Sequence, residues 1–462
     1  MDRRTFLKTV SQTAALAAAS RYLPQPAEAA AGPLTLALVG DCIISRRVSE
    51  LRDPDFLAVV ELLRGTDCVW GNCEVVLADP AEVHPAPKSV DPHAMCEPWG
   101  ADELAWMGIR FVGTANNHIM DFGSEGMAST LRNLERAGIR HAGSGADLAQ
   151  AARPAYFDGP TGRIGQVNCA STFPPFFAAG PDHPYLQGRP GLNPLHYQEV
   201  LQIEPKLFGE LKKVQARLVD LMGWAEFGDF LKDLESRMPK DTSLFLESTI
   251  KSGGETDLLM TANPGDVTRI TEAVQIARNG ARLVIASIHS HEARHKLELN
   301  APFLQPFARA CIDAGADVFV SAGPHVLRGI EIYKGKPIFY CLSNFLFQYE
   351  TIQPIPPEAL AGLGLDPRSL DPWQYYKKIP YQAEKRFWQT VVPRLTYQGD
   401  GLASIELHPV SLGFGEPQYA RGVPVLARGE AAREILDGLA RLSQPFGTAI
   451  EIRDGIGKIR LG

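Results

Sequence analysis

Five segments of the chain end in side chains that bind hard or borderline metal ions. LTLALVGD ends on Asp41, CVWGNCE on Asn72 and Glu74, and FVGTANNH on Asn116, Asn117 and His118. LVIASIHSH ends on His289 and His291, and DVFVSAGPH on His325. Each segment reads as a buried strand followed by a polar end. In an open α/β sheet, ligands bind just beyond the carboxyl ends of the strands. Residues spread over most of the chain can therefore meet at one place. Asp, Glu, Asn and His together suit one or two divalent ions, with Mn, Fe, Zn and Mg all compatible with such oxygen and nitrogen donors.

The chemistry of that set is metal-assisted hydrolysis, in which the ion acidifies its bound water and polarises the scissile oxygen. Glu74 is the candidate bridging carboxylate and Asp41 a terminal one. Asn117 offers a neutral carbonyl oxygen. His118 follows it on the other face of the turn and suits a general acid for the leaving group. His289 and His291, at i and i+2, share a face if the segment is extended, so both reach one ion. Glu292 points the other way and is placed to orient an imidazole. Gly323, two residues before His325, lets the backbone approach the site. Arg189 and Arg328 are candidates for an anionic substrate, because guanidinium matches carboxylate and phosphate geometry; solvated surface charge is the competing reading. Taken singly, Asp41 reads equally as a helix cap, Asn116 and Asn117 as turn residues, and His325 as a structural histidine. The recurrence at five strand ends carries the inference.

The elements that must position these residues alternate between strand and helix. Strands are expected at 34–40, 67–71, 110–114, 139–142 and 164–170, with helices near 54–64 and 98–107. A further helix is opened by Ser124 and closed by Gly138. This order predicts a mainly parallel sheet covered on both faces. Residues 174–194 read as an ordered, aromatic-rich loop, and 197–237 as an amphipathic helical insertion. Helices near 265–279 and 302–314 precede the strands that end in His289 and His325. Residues 350–384, rich in Pro and Tyr, read as a second insertion over the active face. Strand-like pieces and a helix at 429–443 follow.

The chain has 462 residues, 45% of them hydrophobic, and a formal charge of −7. That balance argues against a general nucleic-acid-binding surface. No apolar run is long enough to span a membrane. The N-terminus, MDRRTFLKTVSQTAALAAAS, resembles a twin-arginine export signal, with Arg3 and Arg4, a weak apolar stretch and an Ala-x-Ala cleavage site at Ala27 and Ala29. Its removal would leave no transmembrane anchor. Seven cysteines without paired spacing predict no disulfide framework. No Gly-x-Gly-x-x-Gly opens the first strand–helix turn and no Gly-x-Ser-x-Gly elbow occurs, which argues against dinucleotide and serine-hydrolase chemistry.

The pieces LVGDCIISRR, GNCEVVLAD, TANNHIMDFGSEGMASTLRNLERAGIRHAGSGADLAQAARP, GRPGLNPL, IASIHSHE and SAGPHVLRGIEIYKGKPIFYCLSNFLF resemble the CapA family, named for capsule and poly-γ-glutamate synthesis. That family is similar in fold to the calcineurin-like metallophosphoesterases. The resemblance implies a four-layer α/β/β/α sandwich with helical and loop insertions and the metal site at its sheet ends. It assigns residues 34–415 to this domain, with insertions at about 197–262 and 350–384, and 416–462 to a C-terminal α/β extension packed on it. Asp41, Glu74, Asn117, His289 and His325 then match metal-ligand positions, and His118 the histidine of the Asn-His pair. Asn72, Asn116, Asp121, Arg189, Glu292, Arg328 and Asn344 are the candidates for supporting the ligands or touching substrate. The departures are specific. The Asp-x-His opening is absent, because position 43 is Ile; GNCE replaces the usual GDxxD; and the paired histidines of GHxH reduce to Gly323-Pro324-His325, with His291 available to compensate.

Two functions follow as expectations. The leading one is an exported, metal-dependent hydrolase of a phosphoester or a γ-glutamyl amide, acting on an anionic polymer or a phosphorylated envelope substrate in the periplasm or outside the cell. The alternative is a non-catalytic accessory of capsule synthesis or export that binds the anionic polymer, with capsule-synthesis membrane proteins as partners. A polymer binder needs a basic groove, or bound cations, on the face of the metal site.

Overall fold

The structure is a computed structural model that describes residues 32–461, apart from 88–91, 222–224, 247, 354, 370, 379 and 400. The export signal read in residues 1–29 lies outside the described residues.

The fold is mixed α/β, built on two large sheets. The first has ten strands, with Leu34–Ile43 near its middle. Cys68–Cys73, Phe111–Gly113 and Arg140–Ala142 follow in parallel on one side. Asn344–Phe347 runs parallel along the carboxyl end of the central strand. On the other side Gln389–Gln398 and Gly401–Ser411 are antiparallel, and the hairpin Ile450–Arg453 with Ile456–Ile459 forms the edge. The second sheet has six strands. Gly162–Ala170, Leu283–His289, Val318–Ala322 and Lys336–Phe339 are parallel neighbours, flanked by antiparallel Ala155–Gly159 and Ile330–Tyr333.

Side chains alternate between the two faces of a strand, and the buried clusters follow that alternation. Leu34, Leu36, Leu38, Trp70 and Phe111 of the first sheet share one cluster with Ile164, Leu283, Ile285, Val318 and Val320 of the second. The intervening Ala37, Val39 and Val69 pack against Phe56, Val59 and Leu63 of helix Pro54–Arg64 and Leu104 of helix Trp99–Met107. Val167, Val284, Ala286 and Phe319 pack against helices Pro264–Gly280 and Leu304–Asp313 through Ile270, Val274, Leu304 and Phe307. Burial on both faces is why these strands read as unbroken apolar runs.

Helix Pro54–Arg64 starts where the sequence dictates: Asp53 caps the Phe56 N–H and Pro54 occupies the first turn. Two elements differ from expectation. Helix Gly123–Arg136 begins two residues earlier, with Phe122 rather than Ser124 at the cap, so Ser124 lies inside the first turn and bonds Glu125 instead. Residues 197–203 are not helical. Tyr197–Ile203 is a strand, paired in a separate four-stranded sheet with Thr242–Phe245, Ser248–Ser252 and Asp257–Ala262, and only then do helices Pro205–Leu221 and Ala225–Ser236 follow. Tertiary pairing overrode a Gln- and Glu-containing composition that favours helix. Helix Gly429–Ser443 packs Ala432, Ile435, Leu436 and Leu439 into the cluster between the sheets. Among the described residues no helix is long and apolar enough to cross a membrane.

Candidate metal centre

Asp41 owes its position to an irregularity in the central strand. Leu38 pairs with Trp70 but Asp41 with Asn72, so the register slips by one residue between them. Such a bulge re-aims the side chains that follow it. Gly40 lies inside the slip, and a Cβ there would sit 1.8 Å from Ser343 O, so only glycine lets the 344–347 strand close in. Asp41 N then donates to Ser343 O at 3.0 Å. The Asp41 carboxylate is fully buried. It accepts from Asn72 Nδ2 at 2.8 Å and from Gly323 N at 3.2 Å.

Around it the strand ends converge. The candidate ligand atoms of Glu74, His289 and His291 lie within 4.8 Å of one another, and so do those of Asp41, Glu74 and His325. The two triads share Glu74. His289 Nε2 is 3.5 Å from Glu74 Oε1, and His325 Nδ1 is 3.4 Å from Asp41 Oδ2. His289 Nε2 and His291 Nε2 are 2.9 Å apart. Two nitrogens each about 2.0–2.1 Å from one ion, at roughly a right angle, would be separated by about that distance. Burying a carboxylate costs several kcal/mol unless opposite charge compensates it. Two carboxylates at 0% exposure, ringed by imidazoles, fit a divalent cation in donor type, number and spacing.

His118 also approaches Glu74, at the oxygen that faces His289. Its Nδ1 is 2.7 Å from Asp121 Oδ2, and its Nε2 is 3.9 Å from Glu74 Oε1. Asp121 is itself fixed by the Ala94 N–H at 2.7 Å. Asn116 braces the turn: its Nδ2 donates to Cys73 O at 2.8 Å, and its Oδ1 accepts from His118 N at 3.1 Å. Asn117 is buried on the same turn. Asn72 lies between two ligand candidates, its Nδ2 being also 3.1 Å from His289 Nδ1.

The loop carrying His325 is tightly constrained. Gly323 has φ +121, and a Cβ on it would lie 3.0 Å from His291 Cδ2 and 3.1 Å from Ser290 N. His325 itself takes φ +58, a conformation that non-glycine residues adopt mainly where the surroundings enforce it. The enforcers are Asn344 Oδ1 at 2.8 Å from His325 Nδ1 and Ser343 Oγ donating to His325 O at 2.8 Å. Phe347 and Tyr381 flank the ring, with centroids at 5.7 and 5.3 Å.

Burial works to raise the Asp41 pKa, but hydrogen bonding and charge from His325, the charge of His289 and the Asn72 bond outweigh it and hold the carboxyl below its ordinary value. Burial, with neighbouring His289, His325, His118 and Arg328, pushes His291 well below the usual imidazole range. Both shifts favour the deprotonated forms that bind metal.

The remaining expected residues divide. Among the described residues the Glu292 carboxylate bonds no imidazole. It accepts from Ser171 Oγ at 2.7 Å, Ser290 Oγ at 2.8 Å and Thr172 Oγ1 at 2.7 Å, and Thr172 Oγ1 in turn accepts the His291 N–H. Arg189 stays apart. Its Nε bonds Ala178 O, and among the described residues no hydrogen bond or ion pair joins it to the cluster. Arg328 is not surface charge, being 0% exposed. Sequence reasoning missed Ser171 and Thr172, although they follow the strand Gly162–Ala170 and the same strand-end rule points to them. It also missed Ser343 and Tyr381, which no motif of ligand type marks.

Every residue of the cluster, from Asp41 to Asn344, lies within a single family match. A profile of the family described as bacterial capsule synthesis protein PGA_cap covers residues 35–349. The chain belongs to this family. Two relatives from Sinorhizobium fredii, the uncharacterized proteins y4sH and y4uA, are each 34% identical over 92% of this chain and 93% of their own length. The capsule biosynthesis protein CapA of Bacillus anthracis is 24% identical over 68% of this chain and 60% of its own. The PGA biosynthesis protein CapA of Bacillus subtilis is 25% identical over 68% and 63%.

Proposed function

We propose that the protein is an exported metal-dependent hydrolase of capsule or envelope polymer metabolism, acting on a phosphoester or a γ-glutamyl amide. The observation that carries the reading is the pair of buried triads sharing Glu74, with the His118–Asp121 pair beside the same carboxylate. Asp41, Glu74, His289, His291 and His325 would hold one or two divalent ions, with Asn117 as an additional oxygen donor. A bound ion there would acidify its water and polarise the scissile oxygen. Asp121 fixes the His118 ring through Nδ1 and leaves Nε2 turned toward the cluster. From there Nε2 delivers a proton to the leaving group. The three buried clusters support the finer fold reading, a helix–sheet–sheet–helix sandwich over 34–415 with the C-terminal segment sharing its central layer. Export would proceed through the twin-arginine signal read in residues 1–29.

The test is metal analysis of the mature protein folded in the cell, together with turnover of phosphodiesters, phosphomonoesters and γ-glutamyl oligomers. The expected result is co-purified metal, turnover of one class, and a His118→Ala variant that keeps the metal but loses about 10²–10⁴-fold in rate. A wild type that takes up no divalent ion refutes the reading. The names of two Mycobacterium tuberculosis relatives, probable polyglutamine synthesis accessory proteins at 28% identity over 52% of this chain, favour the accessory reading as the second. Metal and polymer binding without turnover would support it.

A further inference from the structure

Arg328 is a large charged side chain in a place where a charge is costly. It is 0% exposed. Its Nε donates to Leu297 O at 2.7 Å and its Nη2 to Glu292 O at 2.9 Å, while Nη1 has no hydrogen-bond partner among the described residues. Neither bonded acceptor is a carboxylate. The carboxylates whose charge reaches it are occupied elsewhere: Glu292 by the hydroxyls of Ser171, Thr172 and Ser290, and Glu298 by Arg386 at 2.6 Å. A buried guanidinium without a paired carboxylate, and with one nitrogen idle, is a poor way to fill space. An apolar side chain of similar size would serve packing better.

What the guanidinium does is join two loops. Arg328 follows His325 by three residues. The carbonyls it holds belong to the segment that leaves His291: Glu292 is the next residue, and Leu297 lies in the returning strand of the exposed hairpin Ala293–Arg294 with Lys296–Asn300. His291 belongs to one ligand triad and His325 to the other. Their rings are already in edge contact, with centroids 5.3 Å apart. We propose that Arg328 is a positioning residue of the metal centre, tying the loop of His325 to the loop of His291 and so coupling the two triads that share Glu74. This rests on the metal reading above. A planar fork is suited to the task because it reaches two carbonyls at once from one rigid group, where Lys offers a single point of attachment.

Electrostatics and positioning predict opposite signs, and that makes the test sharp. Removing a buried positive charge beside a cation site should tighten cation binding if charge alone matters. Losing the tie should weaken it. Co²⁺ would be titrated into the metal-free full-length protein and into Arg328→Met and Arg328→Lys, by calorimetry and by the visible absorption of the bound ion, with circular dichroism as the check on folding. The expected result is at least tenfold weaker Co²⁺ binding and an altered visible spectrum in Arg328→Met. Arg328→Lys, which keeps the charge, should also bind more weakly than wild type. Wild-type or tighter binding with an unchanged spectrum in a folded Arg328→Met overturns the proposal. If Arg328→Met does not fold, a folded Arg328→Lys with wild-type affinity and spectrum overturns it equally. A wild type that binds no Co²⁺ sinks the metal reading itself, and is told apart because the failure is already present before any substitution.

Discussion

Replacing Asn72 by Asp probes whether the cluster is built to hold cations. Asn72 Nδ2 stands 2.8 Å from Asp41 Oδ1, in a site with no solvent exposure to speak of. An Asp oxygen in its place would face a carboxylate oxygen, with the two charge centres about 4 Å apart. At an effective dielectric near 20 that is about 4 kcal/mol of repulsion. The side chain can escape by taking up a proton, but at pH 7 protonating a group with an ordinary pKa near 3.9 costs about the same. Metal-free Asn72→Asp should therefore be destabilised by about 4 kcal/mol at pH 7. An unfolding entropy of about 2.1 cal/mol/K per residue over roughly 430 residues converts this to a fall of about 4–5 °C in Tm. The new carboxyl has a folded pKa above its unfolded one, so the penalty grows as pH rises and shrinks as pH falls. At pH 5 the protonation route costs only about 1.5 kcal/mol, and the deficit should drop below about 2 °C. Saturating Mn²⁺ should reverse the sign, because a third carboxylate then serves the ion. Scanning calorimetry with and without chelator, at both pH values, reads all three effects. An unchanged Tm without metal, or a deficit that Mn²⁺ does not close, would refute the claim that this pocket concentrates negative charge for a cation.

Gly323→Ala should cost about 2–4 kcal/mol, from a strained φ of +121 and a contact 3.0 Å from His291 Cδ2, and should weaken metal binding by displacing that ring; calorimetric titration against wild type checks it. His141 and His408 are both held below the ordinary imidazole value of 6.5 by burial. A depressed folded pKa means stability that is present above pH 6.5 and lost as pH falls below it. Tm of the metal-free protein should therefore fall from pH 7 toward pH 5, and His141→Gln with His408→Gln should reduce that fall, leaving the part that belongs to His291. The seven cysteines are buried with free thiols, and burial pushes Cys73 and Cys341 up to about 12. An aromatic disulfide reagent at pH 8 should find no reactive thiol in the native protein and all of them after denaturation.

The parts of this site that the sequence makes legible are those whose physics is local. A doubly covered strand must be apolar along its length, so LVIASIH and DVFVSA announce themselves, and the first polar residues after each mark its carboxyl end. Asp41, Glu74, His118, His289, His291 and His325 were identifiable in this way, and the structure brings them together. Roles that depend on a partner distant in sequence were not identifiable. Glu292 alternates with His291 along the segment, which suggests an imidazole partner; only the fold shows that Ser171, Thr172 and Ser290 hydroxyls reach it first. Arg189 and Arg328 look equivalent as residues, and Arg is ordinarily a surface side chain. The structure leaves one on a loop carbonyl and buries the other between two ligand loops. The strand Tyr197–Ile203 was hidden for the same reason, since its stability comes from Ser248–Ser252 and Asp257–Ala262 rather than from its own composition. Tyr381 carries the point furthest. Nothing in the Pro- and Tyr-rich stretch 350–384 fixes where a ring will go, yet Tyr381 lies edge-on to His325 and packs on Phe347, Tyr349 and Phe387. That stretch therefore supplies one wall of the centre, and the ligands' immediate surroundings are set by the segment whose sequence says least about its own fold.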